Sequence, residues 1–237
     1  MVQNTSSAVM QQRSEAKDSL EDFPTPPWAT RALIAAMSRI YGYDPAKMDV
    51  AEPACNRGFM VMPLEESFRT VIASDVYDYG SGYPTHDYLL DANPNQVDAT
   101  FTNPPFRLAE EFIQQGLRAS RVYTAMLVRA AFTEGVGRYN RLFRSQPPSD
   151  IFQFAERVIM HKGFLRDPEK HYWNPEKKNK DGTEGAWVKP STATSYCWIV
   201  WRAHAQPGTK YHWIAPCRRE FTRPGDYPIN PDERGQT

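Results

Sequence analysis

The stretch Val97-Asp98-Ala99-Thr100-Phe101-Thr102-Asn103-Pro104-Pro105-Phe106 decides how the chain is read. Its first six residues form an apolar, β-branched run and predict a buried strand. Two prolines then end any regular element, because each lacks a backbone N–H and fixes its φ at about −65°. The result is a stiff loop at the carboxyl end of a strand, where open α/β sheets bind ligands. Asn103 offers a side-chain carbonyl there, Pro104 a main-chain carbonyl and Phe106 an aromatic face. Two acceptors and a ring suit a planar group that carries an NH₂. The same residues also suit a plain turn, with Asn103 as a turn residue and Phe106 in the core.

Upstream, Met48-Asp49-Val50-Ala51 reads as a short strand that runs into Glu52-Pro53-Ala54-Cys55-Asn56-Arg57-Gly58-Phe59-Met60. A strand, a loop of small residues and then a helix form a nucleotide-binding arrangement. Small side chains let a ligand reach the backbone, and a helix N-terminus supplies unpaired N–H groups. Thr70-Val71-Ile72-Ala73-Ser74-Asp75 predicts the next strand, ending in an acid. An acid about 20 residues after such a loop accepts ribose hydroxyls. Asp75 has that spacing; a strand-ending Asp also commonly caps a turn. Tyr77 to Tyr83 reads as a Gly- and Tyr-rich loop.

Further upstream, the prolines of Phe23-Pro24-Thr25-Pro26-Pro27-Trp28 fix an extended entry to a helix. Thr25 is expected as its cap and Pro26 as its first residue. Leu33, Ile34, Met37, Ile40 and Tyr41 fall on one helical face, and Gly42 is the expected stop. Residues 1–22 are polar and read as a flexible tail, with helical character from Gln11 to Leu20.

Downstream, Leu108, Phe112, Ile113 and Leu117 have helical spacing and read as core. Val122 to Val128 predicts a strand, and Glu134 to Phe143 a helix with Arg138, Arg141 and Arg144 near one side. These arginines suit either phosphates or a solvated face. Ile151-Phe152-Gln153-Phe154 is a further strand. Phe164 to Pro190 is polar and Lys-rich, with Trp173 and Trp187, and too irregular for a helix. Lysines interleaved with aromatics suit a nucleic-acid clamp, each stacked base contributing roughly 1–3 kcal/mol; a surface insertion fits equally. Thr194 to Trp201 reads as the last strand of the sheet, and Tyr211 to Ala215 as an added edge strand. Beyond Pro216 the chain is Pro-rich and polar, with no fold signal.

The chain has 237 residues, 41% of them hydrophobic, enough for one α/β domain with a sizeable core. A separate large recognition domain is not expected. The formal net charge is zero, so nucleic acid would have to be held by local patches. The three cysteines, Cys55, Cys197 and Cys217, form no CxxC pair. That argues against a disulfide framework or a zinc site and for a reducing cytoplasm. No apolar run approaches membrane-spanning length, and no signal-like apolar core opens the chain.

Asn103-Pro104-Pro105-Phe106 resembles motif IV of the amino-methyltransferases, written Asp/Asn/Ser-Pro-Pro-Tyr/Phe/Trp. Other segments resemble the same family in order. Thr25-Pro26-Pro27-Trp28 is similar to its motif X. Glu52 to Met60 is similar to motif I in the form Glu-Pro-Ala-x-Gly-x-Gly-x-Met, with Asn56 in place of the first glycine. Asn tolerates left-handed geometry next best, so the turn is expected to survive. His86-Asp87-Tyr88-Leu89 resembles motif III, and Glu156 to Gly163 the strand and turn of the motif VIII region. Phe23 to about Trp201 thus resembles the phage- and prophage-type DNA N6-adenine methyltransferases, in the motif order of the γ-type enzymes.

The resemblance implies a Rossmann-like α/β fold: a mostly parallel central sheet, helices on both faces and an antiparallel late strand. It implies a methyltransferase domain over residues 23–215, with 164–190 as a candidate DNA-contacting insertion and 216–237 as a polar tail. It implies S-adenosylmethionine (SAM) as cofactor, bound by Pro24, Thr25, Trp28, Glu52, Pro53, Ala54, Asn56, Gly58, Asp75, Val76, Asp87, Tyr88 and Asn103. Asp87 would accept a hydrogen bond from the cofactor's adenine amino group, although it also reads as a turn acid. Asn103, Pro104, Pro105 and Phe106 would be catalytic, with the target adenine flipped from double-stranded DNA onto Phe106. Arg138, Arg141, Lys162, Lys177, Lys178 and Lys180 are the candidate DNA contacts. No metal, membrane or cysteine nucleophile is implied, and Cys55 reads as a small packing residue. The expected place is a bacterial or phage-infected host cytoplasm.

Two other functions stay open. The same chemistry could serve a protein glutamine or an RNA base, although glutamine enzymes typically carry Tyr at the last motif IV position. A catalytically weak, nucleic-acid-binding subunit would keep the fold, and Asn56 is the residue that points that way.

Overall fold

The computed structural model describes residues 21–92, 94, 96–179, 181–230 and 232–234. The expected helix over Gln11 to Leu20 and the candidate Lys180 lie outside them.

The first helix, α1 (Pro27–Tyr41), starts where the proline run ends. Proline at the first position loses no helical hydrogen bond and has its φ already set. The expected cap does not form. Pro26 holds the cap position, and Thr25 turns its hydroxyl to Met160 Sδ at 3.7 Å instead. Gly42 ends the helix at φ 68°, its N–H bonding the Ser38 carbonyl. Trp28, Leu33, Ile34 and Met37 are buried, while Ile40 at the far end is exposed.

Seven strands follow in one sheet: β1 (Asp49–Glu52), β2 (Thr70–Ala73), β3 (Val97–Thr102), β4 (Ser120–Arg129), β5 (Asp150–Phe154), β8 (Tyr196–Arg202) and β9 (Lys210–Ile214). Their order is β2-β1-β3-β4-β8-β5-β9. β8 runs antiparallel to both neighbours, and every other pairing is parallel. β8, expected as the last strand, sits inside the sheet, and the edge strand expected over Tyr211 to Ala215 is β9. The unbroken apolar run of β8 explains its position, since both faces are buried. Tyr196, Trp198 and Val200 enter one core cluster, and Cys197, Ile199 and Trp201 the other.

Those clusters lie on opposite faces of the sheet. α1 and the short α2 (Val61–Glu65) cover the first, and α3 (Ala109–Ala119) covers the second. α3 has Glu110 and Glu111 in its first turn and Arg118 in its last, which complements the helix dipole. Its buried Gln115 donates to the Tyr88 and Asp91 carbonyls at 3.0 and 2.8 Å. Those bonds tie the 88–91 segment to the helix that follows the proline loop. The predicted helix after Glu134 is a short α4 (Val136–Arg138) that passes into a π turn over Tyr139–Phe143.

Three segments depart from expectation. Glu156 to Gly163 forms no strand; it makes only an isolated bridge between His161 and Phe164. Its polar side chains bond elsewhere: Glu156 to Arg218, and Arg157 to the Ala193 carbonyl and Ser195. The Lys- and Trp-bearing segment is a hairpin, β6 (His171–Lys178) and β7 (Glu184–Val188). Trp173 faces Trp187 across it at 5.8 Å. Gly185, at φ 88°, lets Trp173 lie on the backbone, because a Cβ there would meet the indole at 2.5 Å.

The third departure follows Pro216, where sequence shows no fold signal. A short helix, α5 (Arg218–Phe221), is followed by the buried Asp226 and by β10 (Glu233–Arg234). β10 pairs with β6 to complete a separate three-stranded sheet. Asp226 grips Arg31 of α1 through two bonds of 2.7 and 2.8 Å, and Glu66 takes the same guanidinium. A buried bidentate pair of this kind holds its partners strongly, because either charge alone would be unsatisfied.

Candidate functional site

β1 and β3 are parallel neighbours, so their carboxyl ends meet at one edge of the sheet. β1 ends at Glu52, which is fully buried. Glu52 Oε1 accepts from Thr102 Oγ1 of β3 at 2.6 Å and from the Ala54 N–H at 3.0 Å. This carboxyl clamps the small-residue loop to the strand that leads into Asn103. Glu52 Oε2 is buried with no partner. Burial pushes the Glu52 pKa up to about 8, against the two hydrogen bonds that lower it.

The loop after β1 keeps its turn without the first glycine. Asn56 holds φ 52°, and its own Oδ1 accepts from the Arg57 N–H at 2.8 Å. Its Nδ2 donates to Asp22 at 2.8 Å. Gly58 has φ 84°, and a Cβ there would collide with the Tyr83 ring. Asp75, nearly buried, accepts the N–H groups of Asn56 and Tyr77 at 2.9 and 3.0 Å. Burial raises its pKa. Asp87 caps the turn that follows it by accepting from the Leu89 N–H.

An open cleft of about 930 Å³, its mouth included, lies along this edge. Pro24, Thr25, Glu52, Pro53, Ala54, Asn56, Asp75, Val76, Asp87, Tyr88, Asn103 and Pro105 all line it. Four other expected residues do not. Trp28 is core, packed edge-on against Phe154 at 5.4 Å. Gly58 shapes the loop from behind, Pro104 is buried, and Phe106 faces away from the cleft lining. The cleft also uses residues that sequence reading passed over, including Phe59, Met60, Tyr79, His86, Leu108 and Phe112. Tyr79 lies in the Gly- and Tyr-rich loop, which was the available signal. Leu108 and Phe112 read as core by spacing; Phe112 is core and also lines the cleft, whereas Leu108, just before α3, is exposed at it.

The charge of the lining is one-sided. Glu21, Asp75 and Asp87 contribute carboxylates and Glu52 a carboxyl that burial keeps largely protonated near neutral pH, and among the described residues no Lys or Arg takes part. Such a cleft suits a ligand with amino groups, hydroxyls and positive charge, and opposes a pyrophosphate. SAM has that character, whereas a dinucleotide does not. The residues present therefore fit the cofactor that the resemblance implies.

Asn103 sits where the cleft meets the proline loop. Its Nδ2 donates to the Phe23 carbonyl at 2.9 Å and approaches Met160 Sδ at 3.8 Å. This leaves Asn103 Oδ1 buried and without a partner. The Glu21 carboxylate accepts the Phe106 N–H and pairs with Arg107. On the far side of the loop, Phe106 lies 5.6 Å from the Phe23 ring and 6.4 Å from Tyr196, with the Arg129 guanidinium 4.1 Å above its centroid.

The expected DNA contacts divide. Arg141 is paired with Glu110 at 2.8 Å, and Arg138 lies over Phe132 while bonding the Phe132 and Glu134 carbonyls. Both are tied to partners of this chain, Arg141 in an exposed ion pair and Arg138 in a half-buried position. Lys162 is exposed in the loop after Met160, and Lys177 and Lys178 are exposed on β6. Cys55 is buried packing, and burial pushes its thiol up to about 12. Among the described residues, no cluster of His, Cys, Asp and Glu could hold a metal, and no helix is long and apolar enough to cross a membrane.

No family model and no curated protein matches the chain. Solved structures do. The methyltransferase subunit of a type I restriction-modification system from Streptococcus thermophilus aligns over 91% of this chain and 52% of its own, at 10% identity and TM-score 0.53. A protein from Listeria monocytogenes, assigned to the class I SAM-dependent methyltransferases, aligns over 87% of this chain and 68% of its own, at 12% identity and TM-score 0.50. A protein from Vibrio vulnificus, assigned as a type I restriction modification subunit, aligns over 86% and 49%, at 16% identity and TM-score 0.49. The chain thus spans about half the length of the two restriction subunits. What the chain shares with these proteins is the fold: a Rossmann-like methyltransferase sheet, mostly parallel, with one antiparallel strand.

Proposed function

We propose that the protein transfers a methyl group from SAM to the exocyclic N6 of adenine in DNA. One observation carries this reading: the Asn103 carbonyl oxygen, unpartnered, at the junction of an acid-lined cleft and the Pro-Pro-Phe loop. A buried acceptor with no donor is costly unless a ligand supplies one. An amino group on a planar base is such a donor, and Phe106 next to it is a stacking surface.

The cofactor supplies an electrophilic methyl group when bound. Pro24, Thr25, Glu52, Pro53, Ala54, Asn56, Asp75, Val76, Asp87 and Tyr88 would hold it. Asn103 Oδ1 and the Pro104 carbonyl would each accept one N6 hydrogen. Those bonds turn the nitrogen lone pair out of conjugation and favour the positive charge that develops on it. The Asn103 Nδ2 bond to Phe23 keeps Oδ1 oriented before substrate arrives, so little reorganisation is needed. Extrusion of the base from the duplex costs a few kcal/mol, partly offset by stacking on Phe106. A DNA substrate agrees with the restriction-modification neighbour from Streptococcus thermophilus, whose fold the chain shares.

The test is methyl transfer from labelled SAM to unmethylated genomic DNA, followed by digestion to nucleosides. N6-methyladenine is the expected product. SAM binding with label in RNA or protein and none in DNA would replace the substrate, and absence of SAM binding would overturn the enzyme reading altogether.

A further inference from the structure

Arg129 is the last residue of β4, the strand beside β3, so its side chain reaches over the proline loop. Its guanidinium rests on the Phe106 ring, 4.1 Å from the centroid. Most buried or half-buried arginines here sit against a carboxylate: Arg31 on Asp226, Arg166 on Asp232, Arg202 on Asp150, Arg218 on Glu156. Among the described residues, no carboxylate pairs with Arg129. Its Nε is buried with no acceptor, and the polar group beside it is the neutral Tyr196 hydroxyl. A half-buried cation with no counter-charge is costly, and the ring face compensates only in part. It stands outside the cleft lining, whose carboxyl groups repel an anion.

We propose that Arg129 is a substrate-binding residue that holds the phosphodiester next to the flipped nucleotide; the inference rests on the reading above. A guanidinium presents a planar fork of N–H donors and no acceptor, matched to two phosphate oxygens. In the free protein it covers the face of Phe106. As the base arrives on that ring, the guanidinium moves off and takes the phosphate that follows the base out of the duplex. The positive charge left without a partner in the free protein then gains one.

The experiment uses the full chain and a duplex oligonucleotide taken from a sequence the wild type methylates. R129A is expected to raise the KM for DNA about tenfold and to lower the slope of log K against log salt by about 0.9, the loss of one phosphate contact. SAM affinity should stay at the wild-type value. R129K keeps the charge and should keep the slope; a residue that merely packs on Phe106 would lose as much with Lys as with Ala. R129A with wild-type KM and slope overturns the proposal, as does R129K with the slope of R129A. Where R129A does not fold, wild type is tested on duplexes with one uncharged methylphosphonate on either side of the target adenine. Weakening about tenfold at one of the two positions is expected, and equal binding to both and to the unmodified duplex overturns the role. A wild type that binds SAM and methylates no DNA overturns the proposed function and the role of Arg129 together. A wild type active on DNA, with R129A matching it, overturns Arg129 alone.

Discussion

The two sides of the Asn103–Phe106 loop are built on opposite electrostatic principles. The cleft side gathers four carboxyl groups and, among the described residues, has no Lys or Arg in its lining. The outer side is aromatic, with Phe106 and Tyr196 beside the Arg129 guanidinium, which no carboxylate pairs among the described residues, while Phe23 lines the cleft and packs on Phe106. A loop of two prolines separates them, stiff enough to hold a carbonyl toward one side and a ring toward the other. The difference teaches how one short loop can serve a cationic cofactor and an anionic nucleic acid without either site attracting the wrong ligand.

The sharpest way to break that comparison is to remove the atom at the junction. Asn103→Ala is expected to lower methyl transfer by about 10²–10³-fold, the loss typical of one aimed catalytic hydrogen-bonding group. SAM affinity should change little; a variant with normal turnover refutes the assigned role. On the cleft side, Asp75→Ala should weaken SAM binding by about tenfold, because the variant loses its ligand contact and also frees the Asn56 and Tyr77 N–H groups. Isothermal titration checks this, and unchanged affinity removes Asp75 from the site.

A third measurement tests the buried acid. Glu52 has its pKa raised from 4.5 to about 8 by burial. Between those values the unfolded chain holds fewer protons than the folded one, so stability falls as pH rises and levels off above about 8. Glu52→Gln keeps the hydrogen-bonding shape without the titration. The melting temperature of the variant should therefore gain on wild type by a few degrees between acidic and mildly alkaline pH. Parallel curves for the two proteins would mean that Glu52 ionises as an ordinary carboxylate.

The smallest effect is expected at the hairpin. Lys177→Gln with Lys178→Gln should lower the salt slope of DNA binding by up to about 0.9 for each lysine that meets a phosphate. An unchanged slope would make β6 and β7 a surface sheet and leave Arg129 as the main charge offered to DNA.

Much of the site is legible in sequence because it is local. A strand, a turn that tolerates Asn56 and Gly58, an acid after the next strand and a Pro-Pro loop are each encoded within a few residues. Their residues line one cleft because parallel strands bring their carboxyl ends to one edge. Trp28 misled because a large aromatic beside a proline entry serves a core as readily as a ligand. The pairing of Arg138 and Arg141 was not legible, because their partner, Glu110, lies on another helix.

By itself the sequence determined the strand and loop order, the place of the proline loop, the left-handed turn at Asn56 and the end of α1 at Gly42. Each rests on short-range sterics and on periodicity. Tertiary structure alone decided that β8 lies inside the sheet, that Asp226 reaches back to Arg31, and that β10 joins the hairpin. It also decided that Asn103 Oδ1 and Arg129 Nε are left without hydrogen-bond partners. Those outcomes depend on which groups far apart in the chain meet in low dielectric, where an unpaired polar atom is costly and a missing partner marks the place of a ligand.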